Sequence, residues 1–219
     1  MEPAPEHRTN GEKGCCQRTT VRIGVTGHRR LSDERTLRQS VREVLARLDR
    51  LLSHTPHTFV VVSPLAEGAD RLVVREVLAW PEVEQLGRHR LEAVLPLPPA
   101  DYVQDFGTEG SRDEFQALLI RAASVHLIGE AASRTAAYQQ AGRRVVQICD
   151  VLVAIWDGSP ARGQGGSAEI VKYARQAGRS LFWIHAGSGE VVEERGSDHT
   201  LESLELLDAE NGELWSQVA

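Results

Sequence analysis

Two stretches of the chain gather the residue types that hold an anion. "TGHRRL" places Gly27, His28, Arg29 and Arg30 directly after an apolar run. "WDGSPARGQGGSAEIV" places Trp156, Asp157 and Arg162 among glycines 158, 163, 165 and 166, followed by Ser167 and Glu169. A guanidinium pairs with phosphate oxygens through parallel N–H groups. Glycine lets backbone N–H groups come close to a ligand, and a helix opening at such a loop adds oriented donors and partial positive charge. The glycine-rich loop alone reads either as a flexible surface loop capped by Ser167 or as a phosphate site. With the basic loop beside it, the two stretches predict one anionic ligand, with a phosphate at the glycine-rich helix start and a second at His28, Arg29 or Arg30. Gly27, His28, Arg29 and Arg30 form one side, and Gly165, Gly166 and Ser167 form the other.

A third stretch, "SPLAEGADRL", supplies Ser63, Glu67, Gly68 and Asp70. Asp70 opens a helical pattern, where the helix dipole favours a carboxylate. It reads either as an N-terminal cap or as an acceptor for a ribose hydroxyl. Glu169 has the same two readings. Trp156 reads as a stacking surface for a base or as a core residue. His28 either meets a ligand oxygen or caps the turn. Adjacent arginines point apart, so one of Arg29 and Arg30 is expected to be merely solvated. Ser63, Glu67, Gly68, Asp70, Trp156, Asp157, Arg162 and Glu169 together make up the expected ribose and base side.

The elements that must position these residues alternate. Apolar runs at 21–26, 58–63, 91–98, 124–129, 149–158 and 180–185 read as buried strands. Amphipathic helical patterns lie between them. The first repeats Leu37, Val41, Val44, Leu45, Leu48 and Leu52 on one face. Ser32 is its expected cap, and Ser111 with Glu114 forms a capping box further on. Residues 101–111 read as a long loop able to cover a pocket. This alternation predicts an α/β fold, with a mainly parallel sheet of about six strands between two helical layers. Ligands of such sheets bind beyond the strands' carboxyl ends, where all three loops lie.

The 219 residues are 41% hydrophobic, enough for one domain core. Residues 1–19 lack an apolar period and read as a disordered tail. Residues 20–185 form the domain, and 186–219 an acidic segment with a short helix in "TLESLELLDA". That segment carries nine acidic residues and one basic. The remainder, with 24 basic and 22 acidic residues, is nearly neutral, which speaks against duplex DNA as a partner.

Three cysteines form neither a disulfide framework nor a metal set, and Cys149 reads as a core residue. His54 and His57 flank Pro56 and read as loop residues. No metal or cofactor is expected. No apolar run reaches the ~20 residues of a membrane helix, and the start lacks a signal-peptide core. The expectation is a cytoplasmic protein without a membrane segment. The chain has no G-x-x-x-x-G-K-[ST], no G-x-G-x-x-G after the first strand, no H-E-x-x-H and no G-x-S-x-G. This argues against a P-loop enzyme, a standard dinucleotide dehydrogenase, a zincin and an α/β-hydrolase.

"VTGHRRL", "SPLAEGADRLV", the "DY…DF…SRDEF" segment and "CDVLVAIWDGSPARGQGGSAEIV" resemble the SLOG superfamily over about residues 21–185. That group includes Lonely Guy phosphoribohydrolases, the DNA-processing protein A fold, YpsA-like proteins and sensor domains of prokaryotic defence systems. The resemblance implies a Rossmann-like three-layer αβα sandwich. It also implies binding of a nucleotide or an NAD-derived nucleotide signal, in a stand-alone sensor of a stress or antiviral pathway. It further suggests a homodimer or higher oligomer, built through helix faces within 112–148, and a separately encoded effector. The enzymatic members carry P-G-G-x-G-T-x-x-E. Here no proline precedes the glycines, Ser167 replaces Thr, and Glu169 follows after two residues rather than three. The alternative function, N-glycosidic hydrolysis of nucleoside 5'-monophosphates, would use Glu169 as the catalytic carboxylate.

Overall fold

The computed structural model describes residues 19–81, 88–160 and 166–218. The expected tail (1–19) and part of the glycine-rich loop thus lie outside the described residues, apart from Thr19, which opens the first strand. In chain order the elements are β1 (Thr19–Gly27), α1 (Glu34–Leu51), β2 (His57–Ser63), α2 (Ala69–Leu78), β3 (Arg90–Leu95) and α3 (Pro99–Tyr102). There follow α4 (Glu109–Arg121), β4 (Ser124–Leu127), α5 (Arg134–Ile148), β5 (Val151–Trp156), α6 (Ser167–Gln176), β6 (Ser180–His185), β7 (Val191–Glu194) and α7 (Thr200–Val218). They form a Rossmann-like three-layer sandwich.

The sheet order is β4-β3-β2-β1-β5-β6-β7. All pairs are parallel except β6 with β7. Period-two alternation divides each central strand between two cores. Val21, Ile23 and Val25 of β1 face α1, α2, α4 and the start of α7. Val60, Val62, Leu152 and Ala154 face α5 and α6, whose Val145, Val146, Ile170 and Val171 close the second core. The chain moves outward from β1 to β4, then returns to place β5 on the other side of β1. The crevice between β1 and β5 is therefore the topological switch, where connections leave in opposite directions.

Five sequence expectations change. The sheet has seven strands, because "VVEE" in the acidic segment adds β7 along β6. The rest of that segment is α7, packed back on the domain. Leu201 is buried, the Asp208 carboxylate accepts the His54 backbone N–H at 2.7 Å, and Asn211 donates to Thr55 at 3.1 Å. The first helix is capped by Asp33, not Ser32; its Oδ1 accepts the Thr36 N–H at 3.0 Å. Thr108 caps α4 at its Oγ1, accepting the Ser111 N–H at 3.1 Å, so Ser111 and Glu114 lie inside the helix.

The fifth change concerns 101–111. Instead of a covering loop, it is a short helix, a 3-10 turn at Val103–Asp105 and the start of α4, anchored by the buried rings of Tyr102 and Phe106. Apolar contact holds it down: Tyr102 lies 5.0 Å from Phe106 and 5.5 Å from Phe115 between ring centroids. His57 is the first residue of β2 and is buried, with one ring nitrogen on the Thr55 carbonyl and the other on Asp49. Cys149 is a buried free thiol. Among the described residues, no helix is long and apolar enough to cross a membrane.

Candidate functional site

The exit of β1 is held by backbone bonds and by two glycines. The His28 N–H donates to the Ile155 carbonyl of β5 at 2.9 Å, and the His28 carbonyl accepts the Ala69 N–H at 3.0 Å. Gly68 has φ +75°, and a Cβ there would sit 2.4 Å from the carbonyl oxygens of both His28 and Arg29. At Gly27 a Cβ would sit 2.4 Å from the Ala69 Cβ. Only glycine permits this approach. The start of α2 thus presses directly on the backbone of the β1 exit, and the side chains of Arg29 and Arg30 are exposed.

A cleft of about 520 Å³ opens at the switch. Gly27, His28, Arg29 and Arg30 line one side, Trp156, Asp157, Ser159 and Pro160 a second, and Gly166, Ser167 and Ala168 a third. Both arginines are among the residues lining the cleft, and both are exposed. Gly166 occupies the N-cap of α6 and offers no side chain to cap it. The amide end of the helix and the basic turn after β1 line the same cleft, and each favours negative charge there. Arg162 and Gly165 lie outside the described residues.

The second side is tied internally. The Asp157 N–H donates to His28 Nε2 at 3.2 Å, which also lies 3.2 Å from Asp157 Oδ1. The Ser159 N–H donates to that same carboxylate at 2.9 Å. The Asp157 carboxyl is held below its ordinary value, first by the Ser159 amide and then by smaller contributions that include His28. The Trp156 indole N–H donates to the Ser159 carbonyl at 3.0 Å, and the Trp183 indole N–H to the Trp156 carbonyl at 2.9 Å. Trp156 is half-buried and lines the cleft.

A smaller pocket of about 120 Å³ continues inward. Gly27, Arg29 and Ser167 line both spaces. Its inner lining includes Thr26, Asp70, Tyr102 and Tyr138. Asp70 is buried, and its Oδ2 accepts the Ala66 N–H at 3.1 Å. It therefore ties back to the loop before α2; the N-cap is Gly68. Burial pushes the Asp70 carboxyl up to about 7, against the opposing pull of the Ala66 amide and of Arg29 and Arg71. The Arg29 guanidinium lies 5.4 Å from the Tyr138 ring centroid.

Three expected ligand residues are placed otherwise. Ser63 is buried and its Oγ accepts the Leu65 N–H at 3.0 Å. Glu67 accepts a short hydrogen bond from Ser111 Oγ. Gly68 serves the backbone contact described above. None of the three is among the residues lining either space. Nor is Glu169, whose Oε2 accepts from Gln139 Nε2 at 3.3 Å.

Sequence reasoning missed Tyr102 and Tyr138 in the inner pocket, and it missed Arg71. Arg71 is 2% exposed. Its Nε donates to the Leu65 carbonyl at 3.1 Å and its Nη1 to the Ser111 carbonyl at 2.8 Å, while Glu114 lies at 3.2 Å. Among the described residues Nη2 has no hydrogen-bond partner, and the guanidinium stacks 4.3 Å from the Phe106 ring centroid. The signal was a lone arginine in the otherwise inward-facing "DRLVV". This side chain fastens the loop before α2 to α4. Replacing it with methionine is expected to destabilise the fold by about 2–4 kcal/mol in urea unfolding, from the Leu65 carbonyl stripped of its donor and a carboxylate left with Arg75.

A scan against protein-family models finds no match for this chain, and a search of curated proteins finds none either.

Proposed function

We propose that the cleft between β1 and β5 binds a nucleotide or an NAD-derived nucleotide signal. On this reading the protein is a cytoplasmic sensor in a prokaryotic stress or antiviral pathway. One observation carries it: Arg29, Arg30, His28 and the uncapped start of α6 line a single cleft at the switch point of a parallel sheet. The guanidinium groups and helix amides are complementary to phosphate, and a volume of about 520 Å³ accommodates a nucleotide. The resemblance to SLOG sensor domains supplies the signalling context. In this reading ligand binding alters self-association or engages a separate effector.

The hydrolase alternative has weaker support. It needs a carboxylate facing the ribose, and Glu169 is engaged with Gln139 outside the cleft lining.

The test is titration calorimetry with nucleoside monophosphates, ADP-ribose and cyclic ADP-ribose. The Arg29→Ala and Arg30→Ala variants should each bind about 10–100-fold more weakly, as expected for loss of a charged hydrogen bond. Unchanged affinity in both variants, or no binding by the unaltered protein, refutes the reading. Sedimentation with and without ligand tests the change in assembly.

A further inference from the structure

The inner pocket differs in chemistry from the cleft it joins. Its polar end is the Asp70 carboxyl, enclosed and anchored by one oxygen to the Ala66 amide. Its walls include Tyr102, Tyr138, Pro64, Pro96 and Ile170. Tyr102 is 1% exposed and locked edge-on against Phe115. The Tyr138 hydroxyl is already committed, donating to Asp105 and accepting from Arg134 Nε at 3.1 Å. Its ring, not its hydroxyl, is what remains for a ligand.

A volume of about 120 Å³, under a quarter of the outer cleft's, gives room for one ring and not for a whole nucleotide. An acidic group repels a phosphate, and apolar walls leave sugar hydroxyls unsatisfied. A flat heterocycle carrying a donor suits both the walls and the acceptor. Arg29 and Ser167 line both spaces, so one molecule can place its phosphate outside and its ring inside.

We infer that the inner pocket receives an amino-substituted heterocycle, with Asp70 accepting from its exocyclic amine and the Tyr138 ring packing against it. This rests on the nucleotide reading of the outer cleft and adds the class of base. Asp70, Tyr102 and Tyr138 then determine specificity, while His28, Arg29, Arg30 and the start of α6 supply base-independent affinity.

The experiment is calorimetry on the full chain with a graded set of probes: adenosine 5'-monophosphate, purine riboside 5'-monophosphate (which lacks the amine), inosine 5'-monophosphate, ribose 5-phosphate and inorganic pyrophosphate. The adenosine compound should bind at least about tenfold more tightly than the purine riboside and inosine compounds, the usual effect of leaving one buried hydrogen-bonding group unsatisfied. Ribose 5-phosphate should be weaker still. In Asp70→Asn the amide oxygen can keep the Ala66 N–H and turn the NH2 inward, so preference should swing toward the inosine compound. If ribose 5-phosphate equals the adenosine compound, or Asp70→Asn leaves the adenosine-to-inosine ratio unchanged, the ring subsite is overturned while phosphate binding stands. If no probe binds, both readings fall.

Discussion

Asp70→Asn should be more stable than the unaltered protein at pH 8 and equally stable near pH 4. In the unfolded chain Asp70 loses its proton near 3.8, whereas in the fold burial holds the proton until about 7. Between those values the native state binds more protons than the unfolded state, so unaltered stability falls as pH rises and levels off above pH 7. Asparagine keeps an acceptor for the Ala66 N–H and cannot ionise. The ceiling of the gain, at about 1.4 kcal/mol per decade, is about 4 kcal/mol, and relaxation around the carboxylate should reduce it to about 1–3 kcal/mol. Urea unfolding of both proteins from pH 4 to pH 8 measures it. A difference that stays flat across that range, or that favours the unaltered protein as pH rises, would mean that Asp70 ionises without penalty. A carboxyl kept where it weakens the fold is the pattern expected of a functional group, since stability is often traded for a site.

The second large effect is at Gly68. Alanine there must adopt φ +75° and ψ −116°, outside the regions open to side chains, and its Cβ would meet two carbonyl oxygens at 2.4 Å. Neither oxygen belongs to a flexible side chain, so α2 or the β1 exit must shift. We expect about 2–4 kcal/mol of destabilisation in urea unfolding. The same shift displaces Arg29 and Arg30, so on the proposed nucleotide reading phosphate affinity should fall at least about tenfold at temperatures where the variant is still folded. A variant that folds and binds as the unaltered protein does would show that α2 does not hold the basic turn in place.

The parallel sheet could be read from the chain because its central strands β1, β2 and β5 are buried on both faces and appear as continuous apolar runs. β7 could not be: Val191–Glu194 is four residues long and half charged, and only β6 makes it a strand. Ser32 and Asp33 are equally good caps by type, and the choice depends on where the backbone turns. The outer cleft was legible because glycine and arginine are concentrated at two loops. The inner pocket was not, because Tyr102 and Tyr138 are far apart in sequence and meet only through the packing of α3 against α5, at 6.1 Å between centroids. Arg71 was hidden for a related reason. Helix α2 is covered on more than one side, burying Ala69 through Val74, so its arginine reads as a solvated position in sequence but points into the protein.

The paired indoles beside the cleft give the protein its own optical reporter. Trp156 forms part of the lining, and the Trp183 N–H bonds to its carbonyl, with the rings 5.8 Å apart. Emission from an indole responds to its polarity and to hydrogen bonding at its nitrogen, so occupancy of the cleft should register as a wavelength or intensity change without any label. Removing Trp156 by phenylalanine substitution would separate its signal from that of the other three tryptophans.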